Sequence, residues 1–301
     1  MDKNLLASYS KKQYVSTEIN SSYKTFMGFE LELVESSEDV ITDDQFKHLI
    51  ESSVELGLLA KYDGSVDAEL VSSPLQIKEF KKLLNATVDM IKNNSSEWLS
   101  WDNSRGRCGF HIHVNRNAIK SVKRLYAFIN NNYQVLRLLS GRKNTHYCSF
   151  DWWELERNYK KVGSRYTALN NLNKHTVEFR FWRGSLFLPR LYMYADLTYT
   201  MCRYSHLLGD TTNDLSFSEI VFLTNNQFLN DLITAKKDLC TTFNFTYRFL
   251  RFADRILKYT RFKGHKRNLT FLKELQKSLS EKRDDRLGKL DQYNCFLTCN
   301  F

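Results

Sequence analysis

Four stretches of this 301-residue chain alternate apolar side chains with charged or imidazole ones at a spacing of two, and that pattern limits the folds open to it more than any other. From Lys24 to Val34, Phe29, Leu31 and Leu33 fall on one side and Gly28, Glu30 and Glu32 on the other. Between Val66 and Val71, Val66, Ala68 and Leu70 oppose Asp67, Glu69 and Val71, and Asp63-Gly64 ahead of them is a turn signal. In Gly109 to Asn115, Phe110, Ile112 and Val114 face away from His111 and His113; in Thr176 to Trp182, Val177, Phe179 and Phe181 oppose Glu178, Arg180 and Trp182. A period of two marks a strand buried on one face. Each segment therefore offers one face to a core and one to chemistry.

Helical patterns lie between these strands. Thr42 and Gln45 form a capping box ahead of Phe46, Leu49, Ile50 and Val54, and Gly57 stands where a C-terminal cap belongs. Ser73-Pro74-Leu75-Gln76 predicts the next helix start, with serine as cap and proline at the first helical position. Phe80, Leu83, Leu84, Val88 and Ile91 continue its inner stripe. Leu125, Ile129, Leu136 and Leu139 fit one further helix ended by Ser140-Gly141, and the chain reads as helical from Pro189 onward. Strands separated by long helices, with helices filling the last third, predict an α+β fold rather than a doubly wound parallel one.

A sheet built from the four strands would rest on helices and gather Glu30, Glu32, Glu69, His111, His113, Glu178 and Arg180 on its other side. Unscreened carboxylates a few ångströms apart repel by on the order of 4 kcal/mol at an effective dielectric near 20. A divalent cation removes that conflict, and oxygen ligands with one or two imidazoles suit Mg2+ or Mn2+. Taken singly, Glu-x-Glu is more often a solvated face and Glu-x-Arg a surface ion pair, while His-x-His on a strand is a better metal signal. Their coincidence at one spacing raises the odds. Arg165, Arg180 and Arg183 could grip phosphate oxygens bidentately, since no glycine-rich phosphate loop occurs.

The net charge of +10 lies wholly near the end: from Lys236 to Lys289 there are sixteen Lys/Arg against six Asp/Glu, and twenty-eight of each elsewhere. There Arg248, Arg251, Arg255 and Lys258 fall on one helical stripe, which is either a solvated face or a surface for an acidic or nucleic-acid partner. The apolar patch Leu5 to Ala7 is too short for a signal-peptide core, and no run approaches the roughly 20 apolar residues of a membrane span. A soluble, cytoplasmic protein without membrane contact is expected. Cys295 and Cys299 lack a second pair for a zinc knuckle, so the six cysteines read as reduced, structural thiols. With only Pro74 and Pro189 and no linker-like stretch, 236–301 reads as a basic helical extension packed on a catalytic region spanning 1–235.

In order, Gly28-Phe29-Glu30-Leu31-Glu32, Asp63-Gly64-Ser65, Glu69 to Pro74, Cys108 to Val114, Arg165, Asn170 to Leu172 and Thr176 to Ser185 resemble the amidoligase family. That family is a branch of the glutamine synthetase and glutamate-cysteine ligase superfamily, known from bacteria and phages. The resemblance covers roughly residues 24 to 190. It implies a curved antiparallel sheet of the glutamine-synthetase type, backed by helices, which holds ATP and Mg2+ while a carboxylate is phosphorylated and an amine displaces the phosphate. By the same resemblance Glu30, Glu32, Glu69, His111 and Glu178 would hold metal, with Asp63 assisting Glu69. His113, Arg165, Arg180 and Arg183 would contact nucleotide phosphate, and Arg180, with Glu178 and Arg165, would serve the transferring phosphoryl group. For a phage-encoded member, the compartment would be the host cytoplasm. Two other readings share these residues: a catalytically silent scaffold acting through its basic C-terminal helices, and a metal-dependent hydrolase that needs no ATP.

Overall fold

The computed structural model describes residues 19, 22–36, 41–61, 64–100, 108–142, 147–209 and 214–235. The chain divides into two compact units, Met1–Leu215 and Ser216–Phe301. In the first, an antiparallel sheet is formed by β1 (Met27–Glu35), β2 (Leu59–Lys61), β3 (Ala68–Val71), β4 (Trp98–Leu99), β5 (Phe110–Asn115), β6 (Leu169–Asn170) and β7 (Thr176–Phe179). Its order is β2-β3-β1-β5-β7-β6, with β4 paired to the far end of β1. Helices α1 (Asp43–Glu55), α2 (Ile77–Asn94), α3 (Val122–Asn131), α4 (Tyr133–Ser140), α5 (Trp152–Tyr159) and α6 (Leu188–Arg203) fill the connections. The α+β expectation holds.

The predicted inner faces form the core. Phe29, Leu31, Leu33, Leu70, Phe110, Ile112, Val114, Val177 and Phe179 are all fully buried. Phe29 sits edge-on to Phe80 of α2 at 5.4 Å and tilted against Phe110 at 6.0 Å, and Phe110 lies 6.4 Å from Tyr194 of α6. These two helices cover the apolar side of the sheet, where each fully buried side chain of this size stabilises the fold by about 1.5–3 kcal/mol. Cys108, Cys148 and Cys202 are buried free thiols, as expected of structural cysteines.

Local signals held where side chains answer their own backbone. Thr42 and Gln45 make the reciprocal capping box of α1, and Gly57 takes the left-handed conformation (φ 73°) just past that helix. Elsewhere pairing overrode them. Ser73 and Pro74 do not start a helix, because Leu75 exchanges two backbone hydrogen bonds with Met27 (2.7 and 2.8 Å) and so continues the antiparallel pairing along β1; α2 begins after Gln76. The single helix expected to carry Leu125 through Leu139 breaks at Asn132 into α3 and α4. Its three inner leucines and one isoleucine remain buried, and Gly141 caps the second helix at φ 64°.

The fourth strand departs from its pattern in a way that shapes the site. Ile112 pairs with Phe179 and Gly109 with Arg183, so the two residues Phe110 and His111 face the three residues Arg180, Phe181 and Trp182. That extra residue is a β-bulge, which bends a strand and re-aims its side chains. Trp182 therefore leaves the side shared by Glu178 and Arg180. It stacks on Tyr194 (centroids 4.4 Å, 18°) and donates from its indole N–H to Thr198 at 2.9 Å, both on α6.

The second unit is described over α7 (Phe217–Thr224) and α8 (Gln227–Ala235). Ser216 and Glu219 form a capping box before α7, and Asn225 ends it in the left-handed conformation. The basic stripe of Arg248, Arg251, Arg255 and Lys258 lies outside the described residues, as do Asp63 and the extension 236–301. Among the described residues, no helix is long and apolar enough to cross a membrane.

Candidate active site

Register turns the four polar faces into one surface. Lys61 stands opposite Glu69 and Glu69 opposite Glu32; Glu30 faces His111; His113 faces Glu178, which in turn faces Asn170. Only glycine at the edge of this surface leaves room for its neighbours, because a Cβ on Gly109 would come within 2.5 Å of His111 Nε2 and 2.6 Å of Arg142 Nη1. A cavity of about 450 Å³ opens over the surface, lined by Glu30, Glu32, Glu69 and His111 together with Arg142, Arg165 and Arg180, and by Tyr147 and Tyr166. Its volume is within the range of pockets that hold small molecules.

Distances show which groups act together. His113 Nε2 lies 3.2 Å from Glu30 Oε1 and 4.0 Å from Glu178 Oε1, and ligand atoms of these three residues all fall within 4.8 Å of one another. His111 presents Nδ1 to Glu30 Oε2 at 3.2 Å and to Glu178 Oε1 at 3.6 Å, and Nε2 to Glu32 Oε1 at 3.5 Å. Asn170 donates to Glu178 Oε2 at 2.8 Å, and Arg180 donates to Glu178 Oε1. The Gly109 N–H donates to Glu32 Oε2. Thus six of the predicted residues, Glu30, Glu32, Glu69, His111, His113 and Glu178, form one cluster, with Arg180 attached. Arg165 lines the cavity farther out, its guanidinium 4.9 Å from the Tyr166 ring centre, while Arg180 approaches the same ring at 5.8 Å.

Arg183 is placed differently. It is buried beside Gly141 and hydrogen-bonded to Tyr194, and it is not part of the cavity wall. Burial, followed by the charge of Arg190, lowers its pKa. The guanidinium that lines the cavity instead belongs to Arg142, which donates to the carbonyl oxygen of Arg180 within the bulge and lies 3.4 Å from His111 Nε2. Arg142 follows the helix cap Gly141 in a loop with no periodicity, so spacing could not assign it a face. Lys61 and Asn170 are further additions. Lys61 belongs to a three-residue strand too short for alternation to declare itself, and its buried ammonium lies 3.7 Å from Glu69.

Electrostatics divide the cluster. Burial alone would raise the carboxyl of Glu30, but the charge of His113 and the hydrogen bond with His111 hold it well below its usual range. Glu178 is likewise lowered against burial, chiefly by Arg180 and then His113. Glu69 goes the other way: burial and then the charge of Glu30 push it up to about 9, and Lys61 only partly offsets them. His113 is raised above its usual value because Glu30 and Glu178 outweigh its burial. Lys61, Arg180 and the imidazoles thus relieve some of the repulsion expected of bare carboxylates. The high pKa of Glu69 is the part they leave.

The residues fit a hard divalent ion on two counts. Carboxylate oxygens dominate the donor set and no thiol enters it, and the buried His113 Nε2 has no hydrogen-bond partner despite its nearness to Glu30. Of the two imidazoles, His113 is the one whose free nitrogen joins the three-residue group.

An antiparallel sheet that gathers acids, imidazoles and guanidinium groups over a cavity is the kind of surface on which charged substrates are bound and turned over. Residues 11–149 match a family described as "Putative amidoligase enzyme", so the resemblance carried by the motifs is borne out over that segment. A solved structure, that of the complex between Prokaryotic Ubiquitin-like Protein Pup and its ligase PafA, is similar at 11% identity and a TM-score of 0.43, covering 72% of this chain and 53% of that one. The chain spans about half the length of that solved chain. No curated protein sequence matches it.

Proposed function

We propose that the protein is an ATP-dependent carboxylate–amine ligase that works through an acyl phosphate. The observation that carries this reading is the convergence of Glu30, His113 and Glu178, with ligand atoms within 4.8 Å of one another, beside a cavity that Glu30 lines together with Arg142, Arg165 and Arg180. A carboxylate and a nucleotide are both anions, and a site for them needs cations on two sides. Glu30, His113 and Glu178 would hold one Mg2+ or Mn2+, with Glu32 and Glu69 beside them for a second. Bound there, the ions would neutralise phosphate charge as the phosphoryl group leaves ADP.

The chain's own part is positioning and electrostatics. Arg180, kept firmly protonated by Glu178 and then Glu30 and Glu32 despite its burial, would face the phosphoryl group. Arg165 at the rim would steer the nucleotide or the substrate anion. A substrate carboxylate oxygen attacks the γ-phosphorus and ADP departs; the amine nitrogen then attacks the acyl carbon, phosphate departs, and the amine gives up a proton. The protein needs no covalent nucleophile for this sequence, only reactants held in line.

Release of ADP and phosphate that requires Mg2+, a carboxylate and an amine together tests the proposal. Pairs of amines and carboxylates are screened by mass spectrometry for a product lighter than their sum by one water. Changing Glu32 or Arg180 to alanine should reduce product to background. Product formed without ATP would replace the ligase with a hydrolytic enzyme run in reverse, and nucleotide hydrolysis indifferent to both co-substrates would sink it.

A further inference from the structure

Arg142 enters none of the roles above, yet it is 3% exposed and forms part of the cavity wall. A guanidinium has five N–H donors in a rigid fork. Arg142 uses one nitrogen, Nη1, for the protein: toward the Arg180 carbonyl and, at 3.4 Å, His111 Nε2. Its Nε is buried and has no hydrogen-bond partner among the described residues. The Nε–Nη2 edge, the one that grips planar or tetrahedral oxyanions in bidentate fashion, is left over. Leaving a charged donor buried and unsatisfied is costly, and such a group calls for a partner that the surrounding side chains do not supply. The placement is built rather than incidental, since Gly109 supplies the space that Nη1 and His111 fill, a Cβ there meeting Nη1 at 2.6 Å.

We propose that Arg142 is a further oxyanion-binding residue of this cavity, its free edge holding a carboxylate or phosphoryl oxygen of a substrate. Which of the two it holds rests on the ligase reading; that it binds an oxyanion does not. Because Nη1 is tied to the carbonyl of Arg180, the two guanidinium groups would close on one anion with their spacing set by the bulge. A lysine in its place would keep the charge and lose the fork.

Binding is measured by thermal shift in EDTA without nucleotide, using inorganic phosphate in one arm and glutarate in the other. The wild type should be stabilised saturably by at least one of them. Arg142→Met should weaken that binding about tenfold or more, as expected for loss of a charge-assisted bidentate contact. Arg142→Lys should recover part of it. Gly109→Ala, which keeps the arginine and displaces it, should also weaken it, and urea midpoints without anion separate folding defects from lost binding. Phosphate alone stabilising assigns the phosphoryl oxygen, and glutarate alone assigns the carboxylate. No saturable stabilisation of the wild type by either anion, or full retention in both Arg142→Met and Gly109→Ala, would overturn the proposal. Anion binding that depends on Arg142 in a protein giving no ADP would keep this assignment and defeat the ligase.

Discussion

Two halves of one sheet face carry the same acid in opposite states. On the β1–β5–β7 side, Glu30 and Glu178 lie among two imidazoles and Arg180 and are held ionised against their burial. On the β2–β3–β1 side, Glu69 faces Glu32 across the ladder, with a single lysine at 3.7 Å, and is pushed up to about 9. Glu69 and Glu178 are buried alike, so for these two neighbours decide the difference. The first half is ready for a cation once His113 sheds its proton. The second has to give up a proton from Glu69 first.

The sharpest way to break this contrast is to remove the ionised half. Glu178→Gln keeps the shape and the bond from Asn170 but deletes a charge from the three-residue group. It should weaken Mg2+ binding by at least about a hundredfold, the upper end of what even an outer-shell partner costs, as read by calorimetry or by loss of Mg2+-dependent stabilisation. Unchanged affinity would place the cation elsewhere.

The next effect is a pH dependence. Glu69 has a folded pKa of about 9 against a reference of 4.5, so its contribution to stability is complete below pH 4.5 and is lost as pH rises through about 9. His113, also raised, has the same sign above its reference of 6.5. Glu30 and Glu178, both lowered, act oppositely: their contribution is present above 4.5 and is lost as pH falls through their folded values. Glu69→Gln should therefore gain on the metal-free wild type between pH 5 and 9, with a slope no steeper than about 1.4 kcal/mol per pH unit, the limit for one proton. Urea denaturation in EDTA at a series of pH values measures it. A flat difference would mean that Glu69 is already ionised, and the two halves would be alike.

How much of this was legible in the sequence follows from what local spacing encodes. Alternation in Phe29-Glu30-Leu31-Glu32-Leu33 and Phe110-His111-Ile112-His113-Val114 states which residues share a face, and both strands obey it. It does not state which residue stands opposite. The pairing of His113 with Glu178, rather than His111, is set by register, and so His113 joins the three-residue group where the family resemblance had pointed to His111. Trp182 moved because a bulge adds one residue between Phe179 and Arg183, and a period of two has no memory across such a step. Arg142 and Lys61 were invisible for a different reason. One sits in a loop and the other in a strand of three residues, neither long enough to show a period.

The smallest expected effect concerns Asn170, which quietly sets the ionised half apart. Its side-chain amide donates to Glu178 Oε2 at 2.8 Å, while its oxygen accepts from Leu172 N at 3.1 Å and from Asn158 at 3.3 Å. The amide is thus fixed in orientation by two donors and can only present its N–H to the carboxylate. No equivalent donor is seen on Glu69 among the described residues beyond Lys61. Asn170→Ala should cost the fold about 1 kcal/mol and Mg2+ binding about tenfold or less, since Glu178 keeps Arg180 but loses the bond that aims its second oxygen. Calorimetry beside a urea midpoint separates the two. An affinity loss as large as that of Glu178→Gln would mean that Asn170 touches the ion itself, and equal affinity with only a stability loss would reduce it to a loop anchor.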